Sequence, residues 1–249
     1  MSRGRSRPQM APPPPPPPSR RAGRLGRLLK WLLILTVAVP LVWVAVYRFL
    51  PPPTTYLMLQ RAGLERESHD YRWRSLDRIS PHLVRAVIAS EDARFCSHQG
   101  FDMDAIQGAL KNNERRPNRV RGGSTISQQT AKNAFLWPQR SYVRKAVEAY
   151  FTLLIETLWN KRRIMETYLN IVEWGPGVYG AQAAAQHWFD KDADKLTRLE
   201  AARLAAILPS PRRYRAAAPV PYVRRRTRAI QARMGVIQRD GYAACVLAR

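Results

Sequence analysis

The sequence predicts a mainly α-helical domain preceded by a single N-terminal transmembrane helix. Three observations support this prediction. The seventeen residues from Trp31 to Tyr47 carry no charged side chain. Farther along, apolar residues recur every three or four positions, and several of these runs begin at a residue that commonly caps a helix. The apolar–polar alternation typical of strands is missing beyond Tyr47, except for a short apolar segment from Tyr56 to Leu59 that we expect to be extended.

Residues 1–27 predict a disordered tail that is basic and rich in proline. Pro12 to Pro18 is an unbroken proline run, which favours the extended polyproline II conformation and cannot form a helix. The residues before Trp31 include no acid and eight cations, which are Arg3, Arg5, Arg7, Arg20, Arg21, Arg24, Arg27 and Lys30. A basic tail can bind nucleic acid, but this one directly precedes a hydrophobic run, so the positive-inside rule explains it better. We therefore expect a cytoplasmic tail and no nucleic-acid partner.

Leu28 to Leu50 predicts the transmembrane helix. As a helix this stretch would be about 34 Å long, enough to cross the hydrocarbon core of a bilayer. Lys30 and Arg48 can extend their charged ends to the two interfaces, and Pro40 is expected to kink the helix. A cleaved signal peptide is the rival interpretation, but the apolar run is long for one and no small-residue cleavage site follows it. We expect a retained anchor, with residues 51–249 outside the cytoplasm.

The rest of the chain is long enough for one domain. Of the 249 residues 45% are hydrophobic, and 42 lysines and arginines outnumber 18 acidic residues, which gives a formal net charge of +24. We expect a linker over residues 51–64 and one domain over residues 65–249. Lys111 to Arg121 is polar and basic and predicts a loop within that domain. The excess of positive charge suits partners such as anionic lipid and glycan.

The chain has two cysteines, Cys96 and Cys245. No CxxC pair or Cys/His spacing typical of a metal site is present, so a zinc site is not expected. Whether the two cysteines form a disulfide cannot be deduced from the sequence.

Glu91 is the first candidate for a catalytic residue. Ser80 and Pro81 predict the start of a helix, and the apolar residues that follow place Glu91 on the same face as Val87 and Ile88. A carboxylate on an apolar face is partly desolvated, which raises its pKa toward the range of a useful general base or acid. The simpler alternative is a solvated helix end.

A polar stretch from Gly122 to Asn133 is the second candidate. Thr125 and Gln128 have the spacing of a capping box, which by itself explains one hydroxyl and one amide. The remaining hydroxyl and amide groups and Lys132 suit an anionic, hydroxyl-rich ligand such as a sugar phosphate, because a helix start offers free N–H groups to an anion.

Ser141 predicts the start of the clearest helix in the chain, whose apolar stripe continues to Trp159. Arg144, Lys145 and Glu148 cluster in its first two turns. The simplest interpretation is a surface ion pair between Arg144 and Glu148, worth less than about 1 kcal/mol.

Four further helices are predicted after Trp159. They cover Ile164 to Val172, Gly180 to Trp188, a helix that begins at a Thr197–Glu200 capping box, and residues 222–239. Gly175-Pro176-Gly177 predicts the turn that ends the first of them.

Four stretches of this chain resemble, in order and spacing, the motifs of the peptidoglycan glycosyltransferases, glycosyltransferase family 51. They are Glu91-Asp92-x-x-Phe95-x-x-His98-x-Gly100, Gly122-Gly123-Ser124-Thr125-Ile126-Ser127-Gln128-Gln129-x-x-Lys132-Asn133, Arg144-Lys145-x-x-Glu148 and Ile164-x-Glu166-x-Tyr168-Leu169-Asn170. The resemblance covers about residues 65 to 215. Ile171 to Gly175 is similar to the monofunctional subgroup, so we expect no transpeptidase domain after this one.

The resemblance implies a lysozyme-like helical fold with a head lobe and a smaller jaw lobe near the membrane. It also implies a reaction that polymerises lipid II with inversion into β-1,4-linked glycan and releases undecaprenyl pyrophosphate. Glu91 matches the general base, and Glu148 matches a second glutamate near the donor's pyrophosphate. The residues that match the substrate-binding positions are Lys132 and Arg140 at the pyrophosphate and Ser124, Gln128, Gln129 and Asn133 on the donor side. Arg144 and Lys145 add positive charge for the leaving group.

Further expectations concern cofactors, partners and location. No cofactor is required, and a divalent cation (Mg²⁺ or Mn²⁺) near the pyrophosphate is a candidate addition. The expected partners are lipid II, the growing glycan strand and membrane lipid, with other cell-wall synthesis or division proteins as further candidates. The expected location is the bacterial inner membrane, with the catalytic domain in the periplasm.

Two alternative functions remain at this point. A lytic glycosidase of the lysozyme type would use Glu91 as an acid and would not need Lys132 or Arg140. A catalytically inactive membrane scaffold for the cell-wall machinery would not need intact glutamates at positions 91 and 148.

Overall fold

The computed structural model describes residues 20–64, 69–115, 122–139 and 141–248. Most of the predicted N-terminal tail and Arg140 lie outside these ranges. The chain divides into two compact units, Met1–Val42 and Trp43–Arg249.

The N-terminal unit is helical throughout its described part. Helix α1 runs from Arg20 to Leu33, so it begins before Leu28, where the span was predicted to start. A π-helical turn, Ile34–Ala38, follows and leads into helix α2, Val39–Phe49. The irregular turn lies next to Pro40, which has no N–H to donate to the preceding turn.

Within the described ranges, one helix is long and apolar enough to cross a membrane. It covers Gly26–Phe49, 24 residues, and its most apolar 18-residue stretch has a mean hydropathy of 2.2. This agrees with the predicted apolar anchor. The last part of the same helix, from Trp43 on, belongs to the second unit, where Val44 is fully buried and its carbonyl accepts the Trp159 indole N–H at 2.8 Å.

The second unit is mainly α-helical, as predicted. Its helices after α2 are α3 Tyr56–Leu64, α4 Pro81–Glu91, α5 Met103–Arg115, α6 Ile126–Phe135, α7 Tyr142–Leu158, α8 Lys161–Ile171, α9 Gly180–Phe189, α10 Arg198–Ile207, α11 Pro221–Arg239 and α12 Ala244–Leu247. Helix α4 packs against α10 and α11, and α6 packs against α7 and α8. The alanine-rich buried faces of α9 and α10 let these helices approach their neighbours closely.

Two predictions for local structure are wrong. Tyr56 to Leu59 is helical rather than extended, because the Thr55 hydroxyl accepts the Met58 N–H at 3.3 Å and Met58 is buried. Helix α5 continues to Arg115, through all of the described part of the predicted loop, and residues 116–121 of that prediction lie outside the described ranges. Lys111, Glu114 and Arg115 are good helix formers.

A small three-stranded sheet was not predicted. Its strands are β1 Asp70–Tyr71, β2 Glu173–Gly175 and β3 Val178–Tyr179, in the order β1-β3-β2. Strand β3 pairs in parallel with β1 and antiparallel with β2. The next residue, Gly180, has φ +84°, and a Cβ there would lie 2.4 Å from the carbonyl oxygen of Asn170, so only glycine fits.

Cys96 and Cys245 form a disulfide across 149 residues of sequence, with their Cα atoms 5.6 Å apart. The bond connects the segment that follows Glu91 to the C-terminal helix α12, which answers the question that the sequence left open.

Candidate active site

Glu91 is the last residue of α4, as the sequence predicted. The Ser80 hydroxyl accepts the His82 N–H at 3.3 Å and Pro81 is the first helical residue. Val87 and Ile88 are completely buried, whereas the Glu91 side chain is 16% exposed. The prediction of a partly desolvated carboxylate is therefore confirmed, and the solvated helix end is ruled out.

Two hydrogen-bond donors from distant parts of the chain face the Glu91 carboxylate. Gln129 Nε2 donates to Glu91 Oε2 at 3.2 Å, and an Arg226 guanidinium nitrogen lies 3.4 Å from Oε1. The Tyr168 hydroxyl in turn donates to Gln129 Oε1 at 3.3 Å. The carboxylate thus receives donors from α6 and α11, and α8 supports the first of them.

The pKa of Glu91 lies above its ordinary value, and burial is the main cause. The hydrogen bond from Gln129 and the charge of Arg226 oppose this rise, whereas the neighbouring Asp92 adds to it. A raised pKa makes the Glu91 carboxylate a stronger base than an ordinary solvated glutamate.

Asp92 fixes the position of Glu91 relative to α6. Its buried carboxylate accepts the Ile126 N–H at 2.9 Å, at the first residue of α6. His98 Nε2 lies 2.9 Å and 3.0 Å from the two Asp92 oxygens. This contact between the end of α4 and the start of α6 brings Gln129 to Glu91.

The capping box predicted at the start of α6 is present. Thr125 Oγ1 accepts the Gln128 N–H at 3.2 Å, and Gln128 Oε1 accepts the Thr125 N–H at 3.0 Å. The two adjacent glutamines therefore differ in role, because consecutive helical residues point about 100° apart. Gln128 caps the helix, and Gln129 faces Glu91.

A cavity of about 250 Å³ lies between α5, α6 and α7. Its lining residues are Ile106, Ala109, Leu110, Asn113, Gly123, Ser124, Gln128 and Lys145. Three of the predicted substrate-binding residues, Ser124, Gln128 and Lys145, therefore meet on one cavity. Glu91 is not among the lining residues, but its partner Gln129 adjoins Gln128, which is.

Glu148 lies in a buried charge cluster on α7. Arg144 is 2.7 Å from Glu148 Oε2, and Lys145 Nζ pairs with the other carboxylate oxygen. The side chains of Arg144 and Glu148 are only 10% and 3% exposed, so the interpretation as a surface ion pair is wrong. Lys145 is 47% exposed, and it is the member of the cluster that faces the cavity.

Replacing Glu148 with Gln should lower the stability of the domain. The buried Arg144 guanidinium would lose its counterion, a change that typically costs about 3–5 kcal/mol. Thermal melting of Glu148→Gln measures this loss. The exposed Glu114 on α5 provides the control, because Glu114→Gln should change stability by about 0.5 kcal/mol or less. Equal melting temperatures for the two variants would contradict the structural role of the pair.

The fourth sequence motif, Ile164 to Asn170 on α8, forms hydrogen bonds that connect this helix to the segment before α4. Glu166 Oε2 accepts the Leu76 N–H at 3.0 Å, and Asn170 Oδ1 accepts the Arg74 N–H at 2.8 Å. Asn170 Nδ2 also donates to the Arg74 carbonyl at 2.8 Å. These bonds hold α8 against the segment before α4 and fix the position of Tyr168 between them.

The remaining predicted site residues lie on or near α6. Lys132 and Asn133 are partly exposed on α6, and Lys132 follows Gln128 by one helical turn. Arg140 lies outside the described residues. Sequence reasoning missed Arg226, because nothing in the basic helix α11 distinguishes it from the arginines around it.

The sequence model of the Transglycosylase family matches residues 58–235. The chain belongs to this transglycosylase family. A biosynthetic peptidoglycan transglycosylase of Caulobacter vibrioides is 56% identical over 222 residues, which cover 89% of this chain and 96% of the relative. The protein of the same name from Pseudomonas aeruginosa is 51% identical over 221 residues, 87% of this chain and 94% of the relative. The family resemblance found in the motifs is thereby confirmed.

Proposed function

We propose that this chain is a peptidoglycan glycosyltransferase that polymerises lipid II into linear glycan strands. The link formed is β-1,4, with inversion at the donor sugar, and undecaprenyl pyrophosphate is released. The observation that supports this most is the buried Glu91 carboxylate. It contacts α6 through Gln129, and the same helix lines, through Gln128, the cavity that Lys145 faces. Membership of the transglycosylase family agrees with it.

Glu91 is the general base in this proposal. As the acceptor's 4-hydroxyl oxygen bonds to the anomeric carbon of the donor, Glu91 takes the hydroxyl proton. The bond between the anomeric carbon and the pyrophosphate breaks, and its electrons leave with the pyrophosphate. Because the carboxylate must be ionised to accept the proton, the rate should rise with pH through the raised pKa of Glu91.

The cations near α6 and α7 stabilise the leaving pyrophosphate. Lys145 faces the cavity, and its orientation is fixed by the buried Glu148. Lys132 lies on the same face of α6 as Gln128. Together with Arg140 these groups supply positive charge where negative charge develops, which is the usual requirement of such a transition state. Ser124, Gln129 and Asn133 complete the proposed donor side.

The described residues around the proposed pyrophosphate position do not form a metal site. Among the described residues no group of three or more His, Cys, Asp or Glu side chains could hold a metal ion. The nearby Glu148 carboxylate is already bound by Arg144 and Lys145. A divalent cation would therefore have to bind through the phosphates of the substrate, and we assign it no step.

We further propose that the N-terminus is cytoplasmic and that the domain lies in the periplasm. The cations before Trp31 favour this orientation. The Cys96–Cys245 disulfide supports it, because disulfides form and persist outside the reducing cytoplasm.

A reporter fusion tests this orientation. Alkaline phosphatase fused after Thr55 should be active in intact cells, and green fluorescent protein fused at the N-terminus should fluoresce, because each reporter works only on one side of the membrane. The reverse pattern would contradict the orientation. A mature protein that begins near Leu50 would contradict a retained anchor.

Two assays on the purified protein test the reaction itself. Incubation with lipid II should give glycan polymer, whereas a zymogram containing peptidoglycan should show no clearing. A lytic glycosidase would give the opposite result, and an inactive scaffold would give neither signal. Cell-wall synthesis and division proteins remain predicted partners.

A further inference from the structure

Three residues from three helices form a hydrogen-bonded series that ends on Glu91. Tyr168 on α8 donates from its hydroxyl to Gln129 Oε1 at 3.3 Å, and Gln129 on α6 donates from Nε2 to Glu91 Oε2 at 3.2 Å. Tyr168 is completely buried. Hydrogen bonds therefore connect its hydroxyl to Glu91 through Gln129.

The orientation of the Gln129 amide decides whether it helps or opposes an ionised Glu91. The amide has an NH₂ group that donates and an oxygen that accepts, and the two ends are similar in size. Only the NH₂ end stabilises a carboxylate, since the oxygen would repel it. In the structure the Tyr168 hydroxyl donates to the amide oxygen and so favours the orientation with NH₂ toward Glu91.

Hydrogen bonds of its neighbours on α8 hold Tyr168 in place. Glu166 and Asn170, on the same helix, bond to the backbone of Leu76 and Arg74. Burial raises the pKa of Tyr168 well above its ordinary value, so the phenol remains protonated and can donate at any pH at which the protein works.

We propose that Tyr168 is a positioning residue for Glu91, and that its hydroxyl keeps the Gln129 amide in the orientation that donates to the carboxylate. The inference rests on the proposed role of Glu91 as the base. It assigns Tyr168 no contact with substrate. Its effect is on the protonation of Glu91 and therefore on the pH range in which the base is ionised.

Several groups surround the Glu91 carboxylate. Arg226 faces it from α11, Ser90 hydrogen-bonds to it from α4, and Asp92 follows it directly after the end of α4. Gln129 donates to it from α6 and is itself held by Tyr168 on α8. Helix α10 also packs on α4, but its buried residues are alanine, leucine and isoleucine. Burial, with a smaller contribution from Asp92, raises the pKa of Glu91, and Gln129, Arg226 and Ser90 oppose that rise. Loosening Gln129 should therefore raise the pKa of Glu91 further.

The variant Tyr168→Phe removes only the hydroxyl and keeps the buried ring. With a higher pKa for Glu91, the acidic limb of the pH–rate profile should move to higher pH, by about one unit if Gln129 no longer donates to the charged carboxylate. On that limb the polymerisation rate should fall by about tenfold, while the rate at high pH should stay near that of the wild type.

A second measurement does not depend on turnover. Carbon-13 NMR of labelled glutamate carboxyl groups, with Glu91→Gln to assign the signal, should show the titration of Glu91 shifted to higher pH in Tyr168→Phe. Because Tyr168 acts through Gln129, the same substitution in a Gln129→Ala background should cause no further shift. Tyr179→Phe is the matched control, since Tyr179 is also completely buried but belongs to β3.

The possible results are distinct. An unchanged Glu91 titration and an unchanged acidic limb in Tyr168→Phe would overturn the inference, as would an equal shift in Tyr179→Phe. A rate reduced equally at every pH, with a lower melting temperature, would show that Tyr168 acts only on the fold and would also overturn it. If the wild-type protein fails to polymerise lipid II, the proposed function fails, but the NMR titration still tests the inference.

Discussion

Replacing Glu91 with Gln should reduce the rate of lipid II polymerisation by about 10²–10⁴-fold, the usual cost of losing a general base. Glutamine has nearly the same shape but cannot take the proton of the acceptor hydroxyl. Because the wild-type carboxylate is buried and its pKa is raised by that burial, the neutral side chain should not destabilise the domain. We therefore expect a normal melting temperature and normal binding of substrate.

The measurement compares initial polymerisation rates and melting temperatures of Glu91→Gln and the wild type. Glu114→Gln makes the same chemical change at an exposed position on α5 and should leave both unchanged. If the rate of Glu91→Gln stays within about tenfold of the wild-type rate, the loss is too small for the removal of a general base, and Glu91 is not the base.

The second large effect is expected from the cations at the donor site. Lys132→Ala and Arg140→Ala should each reduce turnover by roughly 10²-fold or more if they stabilise the pyrophosphate as other electrostatic stabilisers do. Lys132 lies one helical turn after Gln128, which lines the cavity, and three residues after Gln129, which contacts Glu91. Lys132 therefore lies within one helical turn of both glutamines.

The alternative is that both residues are ordinary surface cations. Their replacement would then change stability by about 0.5 kcal/mol or less and leave turnover unaffected. Polymerisation rates and thermal melting of both single variants and the double variant separate these cases, with exposed Lys195→Ala as the control. The double variant should lose less than the two single losses combined, because both residues act on one group. Near-normal rates in both single variants would transfer the role to Arg144 and Lys145.

The helices could be predicted from sequence because their signals are local. Ser80, Thr125, Ser141 and Thr197 each cap the helix that the sequence assigned to them. A cap and an apolar stripe lie within one turn or one face of the helix they define. The short strands could not be found this way, because β1 and β3 have two residues each and their pairing joins segments more than 100 residues apart.

The candidate site was predictable only in part. The burial of Glu91 followed from its spacing to Val87 and Ile88 on one helix face. The contacts of Arg226 and Tyr168 did not, because they depend on how α11 and α8 pack around α4 and α6. The different roles of Gln128 and Gln129 also depend on that packing.

The burial of Glu148 is another feature that the sequence could not predict. The spacing predicted its pairing with Arg144, but it could not distinguish a surface pair from the buried pair that the structure contains. Burial of α7 against its neighbours is a tertiary property. It changes the expected effect of breaking the pair from less than about 1 kcal/mol to several kcal/mol.

We propose that this chain joins lipid II units and releases undecaprenyl pyrophosphate, with Glu91 as the base. The most direct test is to incubate the purified full-length protein with lipid II and to quantify both glycan polymer and undecaprenyl pyrophosphate. We expect polymer to form, one undecaprenyl pyrophosphate to be released for each disaccharide added, and Glu91→Gln to slow the formation of both products by about 10²–10⁴-fold. Failure of the wild-type protein to form either product, or cleavage of preformed glycan instead, would contradict this proposal.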